Sequence, residues 1–165
     1  MLYLALVTLL VASALGDYQP QFYSFSPGVG SGSGSAYSLS GEGRITAVRL
    51  WEQYSNFIRG IQFRYDYSWS PVVGQKYGLP TEIELFEGEA IVQISGKYAH
   101  YVQTVVFTTN KGRTLSAGQP AGLSFNMYPS HSQAELRFIS GRVHGGITSI
   151  GAHWAVVQTN STGMH

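Results

Sequence analysis

Hydrophobic and polar residues alternate with a period of two along much of the chain. The segment Ile61-Gln62-Phe63-Arg64-Tyr65 places every second side chain on an apolar face, which is the spacing of a half-buried β-strand. No window of twelve residues combines an apolar stripe of helical period with capping residues. The pattern therefore predicts an all-β protein, with strands at 45–51, 57–65, 82–86, 91–95, 102–109, 135–140 and 147–157.

Similar segments recur along the chain at intervals of 44–45 residues. Ile94-Ser95-Gly96-Lys97 is nearly repeated by Ile139-Ser140-Gly141-Arg142, and the same apolar frame is found earlier, at 50–53 and 58–61. Turn-forming segments rich in glycine separate the predicted strands. Three strand-rich units predict a closed body with pseudo-threefold symmetry, because closure removes the strand edges that separate sheets would expose.

The N-terminal residues have the layout of a secretory signal peptide. An uncharged apolar run at 2–11 precedes Ala14-Leu15-Gly16, which supplies small residues before a cleavage site. That run is shorter than the roughly 20 residues needed to cross a bilayer. We expect a secreted protein, released by way of secretory granules, with a signal peptide at 1–16, a polar segment at 17–29, a domain at 30–157 and a tail at 158–165. Asn160 opens an N-glycosylation sequon in the tail.

Composition narrows the classes of function. The chain contains no cysteine, so disulfides and thiolate chemistry are excluded. Its net charge of +1 gives no strong field for nucleic acid, and no segment after the signal peptide is long and apolar enough to predict a membrane span. The histidines lack the spacing of metal ligands. We therefore expect no metal site and no cofactor, whereas the oligomeric state stays open.

One concentration of carboxylates stands out, formed by Glu82, Glu84, Glu87 and Glu89. Paired carboxylates can hydrolyse glycosides. Here, however, two of them alternate outward along a predicted strand and two flank a glycine turn, which predicts a solvated edge. Neither a Ser-His-Asp order nor a phosphate-binding loop is present. The chain is therefore not expected to be an enzyme.

Six segments of the chain follow the pattern of a known family, at 30–34, 44–49, 94–98, 109–113, 136–142 and 150–154. Together they resemble the jacalin-related lectin family, in its mammalian secretory branch. The resemblance covers residues 30–157, and it implies a β-prism of three four-stranded Greek-key sheets, in agreement with the repeat. It also implies a metal-free site for a sugar such as mannose at one end of the prism, with glycans or glycoproteins of secretions or mucosal surfaces as partners.

In that family, a glycine-rich loop and a later loop of pattern Gly-x-x-x-Asp hold the sugar. The first loop maps to 30–35 and the second to 151–155, where Ala155 takes the place of the aspartate. Because each hydrogen bond to a carboxylate contributes roughly 1.5–3 kcal/mol, this replacement predicts altered or weakened sugar binding. The candidate contacts from these loops are Ser33, Gly34, Ser35, Gly151, Ala152, His153 and Ala155.

In the family, the loop that follows the strand at 91–95 can flank the ligand, which adds Tyr98 and His100 as candidate sugar contacts. The ring of Tyr98 or of Tyr101 would supply an aromatic wall. An exposed turn without a ligand is the alternative. Trp154 is expected to pack into the core rather than to stack on a sugar. Two functions remain open at this point: glycan binding at an altered site, and interaction with a protein, small cation or polyamine on the same fold.

Overall fold

The computed structural model describes residues 22–54 and 56–157. All seven predicted strands are present there, with bounds shifted by no more than a few residues. Six further strands form sheet edges that the apolar pattern does not reveal. The thirteen strands are β1 Ser24–Gly30, β2 Ser35–Leu39, β3 Ile45–Glu52, β4 Ile58–Tyr65, β5 Ser68–Trp69, β6 Val73–Gly74, β7 Thr81–Glu84, β8 Ile91–Tyr98, β9 Val102–Thr109, β10 Thr114–Gly118, β11 Leu123–Met127, β12 Ala134–Val143 and β13 Ile147–Val156.

Three antiparallel sheets form a β-prism, as the sequence predicts. Each has a long hairpin at its centre, and an outer strand pairs with each arm of that hairpin. The orders are β1-β13-β12-β2, β5-β4-β3-β7 and β10-β9-β8-β11, with β6 also pairing with β4. In the second sheet, β5 and β6 share one outer position. Pro71 lies between them and lacks the N–H that a continuous strand would donate.

The two ends of the described chain meet in one sheet. Ser24 pairs with Trp154 and Gly30 with Ser149, so β1 lies along β13. The domain therefore begins before residue 30, and the boundary drawn from the sequence at 17–29 is wrong. The error arises because β1 contains Pro27 and two glycines, a composition with low strand propensity that an edge position tolerates.

The core lies between the three sheets. Phe63 and Phe107 occupy equivalent positions 44 residues apart and pack edge to face, with ring centroids 5.8 Å apart and planes at 79°. Trp154 has no exposed surface, which confirms that it packs inside the prism. In a chain without disulfides, these large apolar side chains provide most of the stabilisation, at about 1.5–3 kcal/mol for each one fully buried. The largest fully buried side chains are Trp154, Phe63, Phe107, Leu50, Ile58, Ile61, Ile91, Ile94, Leu136, Ile139, Ile147 and Ile150.

Three glycines bend the chain at equivalent points of the three sheets. Gly30, Gly74 and Gly118 end the edge strands β1, β6 and β10, with φ angles of +119°, +81° and +95°. A Cβ on any of them would overlap a carbonyl oxygen of the neighbouring central strand. Each is followed four residues later by another glycine of positive φ, at Gly34, Gly78 and Gly122. The Gly-x-x-x-Gly spacing thus recurs every 44 residues and forms three equivalent loops, at 31–33, 75–77 and 119–121.

These three loops lie at the same end of the prism as the turns that follow β3, β8 and β12 in the three central hairpins, the last two at 99–101 and 144–146. We call this the loop end, and the other the opposite end. In residues 22–54 and 56–157, no helix is both long and apolar enough to cross a membrane.

Candidate functional site

The glycine-rich loop of the first sheet is held at the loop end by contacts on two sides. Thr148 Oγ1 donates a 2.6 Å hydrogen bond to the carbonyl oxygen of Ser33, and Gly32 N donates one of 3.3 Å to the Thr148 carbonyl. On the other side, Ser31 Oγ donates to the carbonyl of His100 at 2.7 Å. The loop therefore lies between the 144–146 turn and the 99–101 turn.

Glycine is required where this loop meets the 144–146 turn. Gly34 has a φ of +89°, and a Cβ there would overlap the carbonyl oxygen of Val143. Among the hydrogen bonds of the described chain, none uses the N–H of Gly34 or of Gly145. Two backbone donors therefore remain open beside the loop, in a position where backbone can approach a ligand closely.

Aromatic rings cover the adjacent side of the loop end. Phe57 and Tyr101 stack with centroids 3.9 Å apart and planes at 10°. The ring of His100 meets Tyr101 edge-on at 4.9 Å. Gly146 packs against Phe57 so closely that a Cβ would overlap the ring. Tyr101 is thereby fixed next to the turn that supports the glycine-rich loop.

Arg59 lies at the start of β4, behind the 144–146 turn. Its guanidinium carbon is 5.7 Å from the ring centroid of Phe57 and 5.5 Å from that of Tyr77, within the range of cation–π attraction. One terminal nitrogen is 3.9 Å from the position that a Cβ on Gly145 would take. The Nε atom is buried and has no hydrogen-bond partner among the described residues.

Four of the candidates predicted from the sequence come together at this end. Ser33, Gly34 and Ser35 lie in the glycine-rich loop or directly after it, and His100 is tied to that loop through its carbonyl. Tyr98 is the last residue of β8, but its ring packs toward Phe125 of β11, with centroids 6.3 Å apart. It therefore does not form a wall beside the glycine-rich loop.

The other four candidates are not in a loop, and this part of the predicted site is wrong. Gly151, Ala152, His153 and Ala155 are interior residues of β13. Ser149 pairs with Gly30 at the loop end, whereas Ala155 pairs with Glu135. At about 3.3 Å per residue, Ala155 lies roughly 20 Å further along the strand. Ala155 is also only 2 % exposed, so it does not occupy the place of a sugar acceptor.

The residue of β13 that reaches the glycine-rich loop is Thr148, which the sequence did not single out. Arg59, Phe57 and Gly145 were also missed. The 44-residue spacing of the Gly-x-x-x-Gly loops was a signal for these residues, because it identifies the end of each sheet at which the loops and the hairpin turns meet. The apolar frame alone does not show which end of each strand meets a loop.

His153 forms a separate cluster on the first sheet. Its Nδ1 is 2.5 Å from Tyr23 Oη and its Nε2 is 2.8 Å from Ser140 Oγ. The ring stacks on Phe138 at 3.9 Å and 12°, and Phe25 lies 4.6 Å away on another side. Partial burial among these groups lowers the pKa of His153. The cluster ties the start of β1 to β12 and β13.

The acidic cluster lies toward the opposite end and is mostly paired. Glu82 and Glu84 project from one face of β7, as predicted, and contact Arg49 and Arg64 at 2.6 and 3.2 Å. Glu89 is not on a solvated edge, because its side chain is fully buried against Arg113. Hydrogen bonds from Arg113, then from the hydroxyl of Thr109 and the N–H of Phe86, lower the pKa of Glu89 to about 2. No group of three or more metal-ligating side chains occurs in the described part of the chain.

A family model described as the jacalin-like lectin domain matches residues 26–153. The chain belongs to the jacalin-like lectin family. This jacalin-like chain is 46 % identical to human zymogen granule membrane protein 16 over 164 residues, which is 97 % of this chain and 98 % of the relative.

Solved structures agree with this assignment. A prostate-specific WGA16 glycoprotein lectin superposes on the jacalin-like chain with a TM-score of 0.72 and 33 % identity, covering 82 % of this chain and all of the other. A shorter match joins 59 % of the chain to 36 % of rat prostatic spermine-binding protein, at 35 % identity over 100 residues.

Proposed function

We propose that this protein is a secreted lectin that binds carbohydrate at the loop end without a metal ion. Membership of the jacalin-like lectin family supports a carbohydrate ligand. The location of the site rests on the glycine-rich loop. Hydrogen bonds of Thr148 and Ser31 hold this loop in place, while the N–H groups of Gly34 and Gly145 have no hydrogen-bond partner in the described chain. Preformed donors on a rigid scaffold lower the entropy lost on binding.

The chemistry of the loop end suits a sugar. Hydroxyl groups of a sugar can accept from the open backbone N–H groups and exchange hydrogen bonds with Ser33 and Ser35. The apolar face of a sugar ring can lie against an aromatic side chain, and Tyr101 is held in place by its stack on Phe57. Neither contact needs a bound ion. The solved structures of jacalin-like lectins support the fold of this chain, but they do not identify its ligand.

Secretion remains part of the proposal. The predicted signal peptide at 1–16 and the sequon at Asn160 lie outside the described residues. The relative's printed name places it at the zymogen granule membrane, which fits an exocrine route for this chain. Glycans or glycoproteins of secretions and mucosal surfaces are the proposed partners.

A glycan array probed with residues 17–165 tests the proposal. We expect binding to a defined set of glycans in the presence of EDTA, because no metal takes part. Tyr101→Ala should remove most of the signal, since it deletes the fixed aromatic surface at the loop end. Tyr67→Ala is the matched control, because Tyr67 is 98 % exposed and follows β4 at the opposite end.

An empty array, covering polysaccharides and mucin glycans, would refute the lectin proposal. A signal that Tyr67→Ala reduces as strongly as Tyr101→Ala would show that the site is elsewhere. Thermal unfolding of each variant confirms that the domain is folded before binding is compared.

A polyamine-binding role is the second candidate, favoured by the similarity to a spermine-binding protein. A cleft of about 380 Å³ at the opposite end is lined by Asp66, Glu84 and Glu87. Arg44 and Arg64 line the same cleft, and they offset much of its negative charge. Calorimetric titration with spermine decides this candidate: saturable binding that Glu87→Gln weakens supports it, and the absence of heat above that of dilution excludes it.

A further inference from the structure

A second aromatic surface lies at the loop end, beyond the glycine-rich loop. Tyr77 is the last residue of the 75–77 loop and is 45 % exposed. It occupies the position that Ser33 has in the first sheet, because each of the two lies three residues after a bend glycine and directly before the next glycine of positive φ. A large ring therefore lies where the glycine-rich loop has a small hydroxyl group.

The ring of Tyr77 is held in place by Arg59. The guanidinium carbon of Arg59 lies 5.5 Å from the centroid of this ring, within the range of cation–π attraction. The same carbon lies 5.7 Å from the ring centroid of Phe57, which is buried. Arg59 thus connects Tyr77 to the packed part of the loop end. Because the ring is already restrained, it loses less conformational freedom when a ligand covers it.

The space next to Tyr77 is open. Gly78 has a φ of +64°, and no atom of the described chain lies within 4 Å of the position that a Cβ there would take. Among the hydrogen bonds of the described chain, none uses the N–H of Gly78. A restrained ring and an open backbone donor are therefore neighbours. This combination suits a sugar unit, whose apolar face can cover the ring while a hydroxyl accepts from the N–H.

Arg59 also limits the distance between this ring and the glycine-rich loop. One of its terminal nitrogens is 3.9 Å from the position that a Cβ on Gly145 would take, and its guanidinium carbon is 5.5 Å from the ring centroid of Tyr77. Since about 1.3 Å separates the two guanidinium atoms, the ring is at most roughly 11 Å from the 144–146 turn. A short saccharide chain that begins at the open N–H of Gly145 can cover this span with a later unit.

We propose that Tyr77 forms a second sugar subsite, and that the loop end therefore selects unbranched neutral saccharides over single sugars. This inference rests on the proposed lectin function and names the size class of its ligand. The first unit binds at the glycine-rich loop, and a later unit covers the ring of Tyr77. Arg59 is a positioning residue in this arrangement, because it acts by holding the ring.

The test compares neutral saccharides of increasing length by calorimetry, from the single sugar to the hexasaccharide. The series are β-1,3-linked glucose, β-1,4-linked glucose, β-1,4-linked N-acetylglucosamine and α-1,6-linked mannose. In at least one series, we expect the affinity to rise about fivefold or more between the single sugar and the tetrasaccharide, as one aromatic contact permits, and then to stay constant. Because every member is neutral, the gain reports length and not charge.

Variants assign the gain to the ring. Tyr77→Ala should reduce the gain with chain length to less than about twofold and leave the affinity for the single sugar unchanged, whereas Tyr77→Phe keeps the ring and should keep the gain. Tyr54→Ala is the matched control, because Tyr54 is an 87 % exposed tyrosine that follows β3 at the same end. This variant should also keep the gain.

Three results would overturn the inference while leaving the lectin proposal intact. The first is an affinity that does not depend on chain length in any series that binds. The second is a gain with length that survives Tyr77→Ala, and the third is a glycan array with signal although no member of the series binds. Failure of every series, together with an empty glycan array, would instead refute the lectin proposal itself.

Discussion

Thr148 Oγ1 donates a 2.6 Å hydrogen bond to the carbonyl oxygen of Ser33, across 115 residues of sequence. This bond joins the start of β13 to the glycine-rich loop of the same sheet. The loop has two other hydrogen bonds to its neighbours, from Gly32 N to the Thr148 carbonyl and from Ser31 Oγ to the His100 carbonyl. Its shape therefore depends on a residue that has no exposed surface and does not itself need to contact a ligand.

Thr148→Val tests this dependence, because valine keeps the branched shape and removes the hydroxyl. The free energy of unfolding should fall by about 1 kcal/mol, the typical net value of one hydrogen bond, and glycan affinity should fall with it. Urea unfolding and the array measure the two effects. Thr114→Val, at an exposed position of β10, should change stability by less than about 0.5 kcal/mol. An unchanged affinity in Thr148→Val would show that the loop is held by other contacts.

Ala155→Asp should not create mannose binding, although the family pattern suggests it. The new carboxylate would be buried near the opposite end and paired in register with Glu135. Glu135 already pairs with Arg44, so the added carboxylate would have no cation of its own. A buried charge left uncompensated costs about 3 kcal/mol or more, and the variant should lose that much stability. Thermal unfolding and a mannose titration provide the check. A stable variant that gains mannose affinity would contradict the placement of β13.

Gly118→Ala should destabilise the fold by about 2 kcal/mol or more, because it combines strain at a φ of +95° with overlap between Cβ and the carbonyl oxygen of Gln103. Gly88→Ala separates the two causes, since Gly88 has a φ of +72° and no atom within 4 Å of a Cβ. That variant should lose only about 1 kcal/mol from backbone strain. Similar losses in the two variants, measured by urea unfolding, would rule out the overlap.

Glu89 should make stability fall in acid. Its pKa is lowered in the folded state, chiefly by the Arg113 hydrogen bond, from 4.5 to about 2. The unfolded chain therefore takes up the proton first as the pH falls. The stabilisation is complete above pH 4.5 and is lost as the pH drops through about 2. Glu89→Gln should be less stable than the wild type at neutral pH, and this difference should shrink toward pH 2.

Urea unfolding at several pH values measures that difference. Glu87→Gln is the control, because Glu87 is exposed on the same turn, and its effect should be small at every pH. A stability gap in Glu89→Gln that stays constant between pH 7 and pH 2 would disprove the linkage.

His153 should titrate below the usual 6.5, because burial disfavours its charged form. The unfolded state then binds the proton more readily, so stability rises with pH across the interval between the two pKa values. An NMR titration of the imidazole protons gives the folded value directly. Phe138→Ala exposes the stacked face of the ring and should move the midpoint back toward 6.5, and a midpoint above 6.5 in the wild type would contradict this account.

The sequence identified the central hairpins because their side chains alternate and are buried, as in Ile61, Phe63 and Tyr65. It did not identify the outer strands other than β7. β1 and β10 are rich in serine, glycine and alanine, and they are strands because they pair with β13 and β9 rather than because of their own propensity.

The sequence predicted only part of the candidate site, for a related reason. The glycine-rich loop is recognisable from its composition alone. The element that faces it depends on the direction of β13, which fixes that Thr148 and not Ala155 lies beside Gly30. The length of the predicted strand at 147–157 could not show which of its ends meets the loop, and Arg59 comes from a different sheet altogether.

The three bends at Gly30, Gly74 and Gly118 allow the sequences of the loops to differ more than those of the strands. Each bend fixes the point at which its loop leaves the sheet through the backbone conformation of a glycine, whatever the identity of the three residues that follow. The tripeptides Ser31-Gly32-Ser33, Gln75-Lys76-Tyr77 and Gln119-Pro120-Ala121 occupy corresponding places and have diverged at nearly every position. Substitutions in these tripeptides can therefore change the surface of the loop end while the three repeated sheets keep their structure.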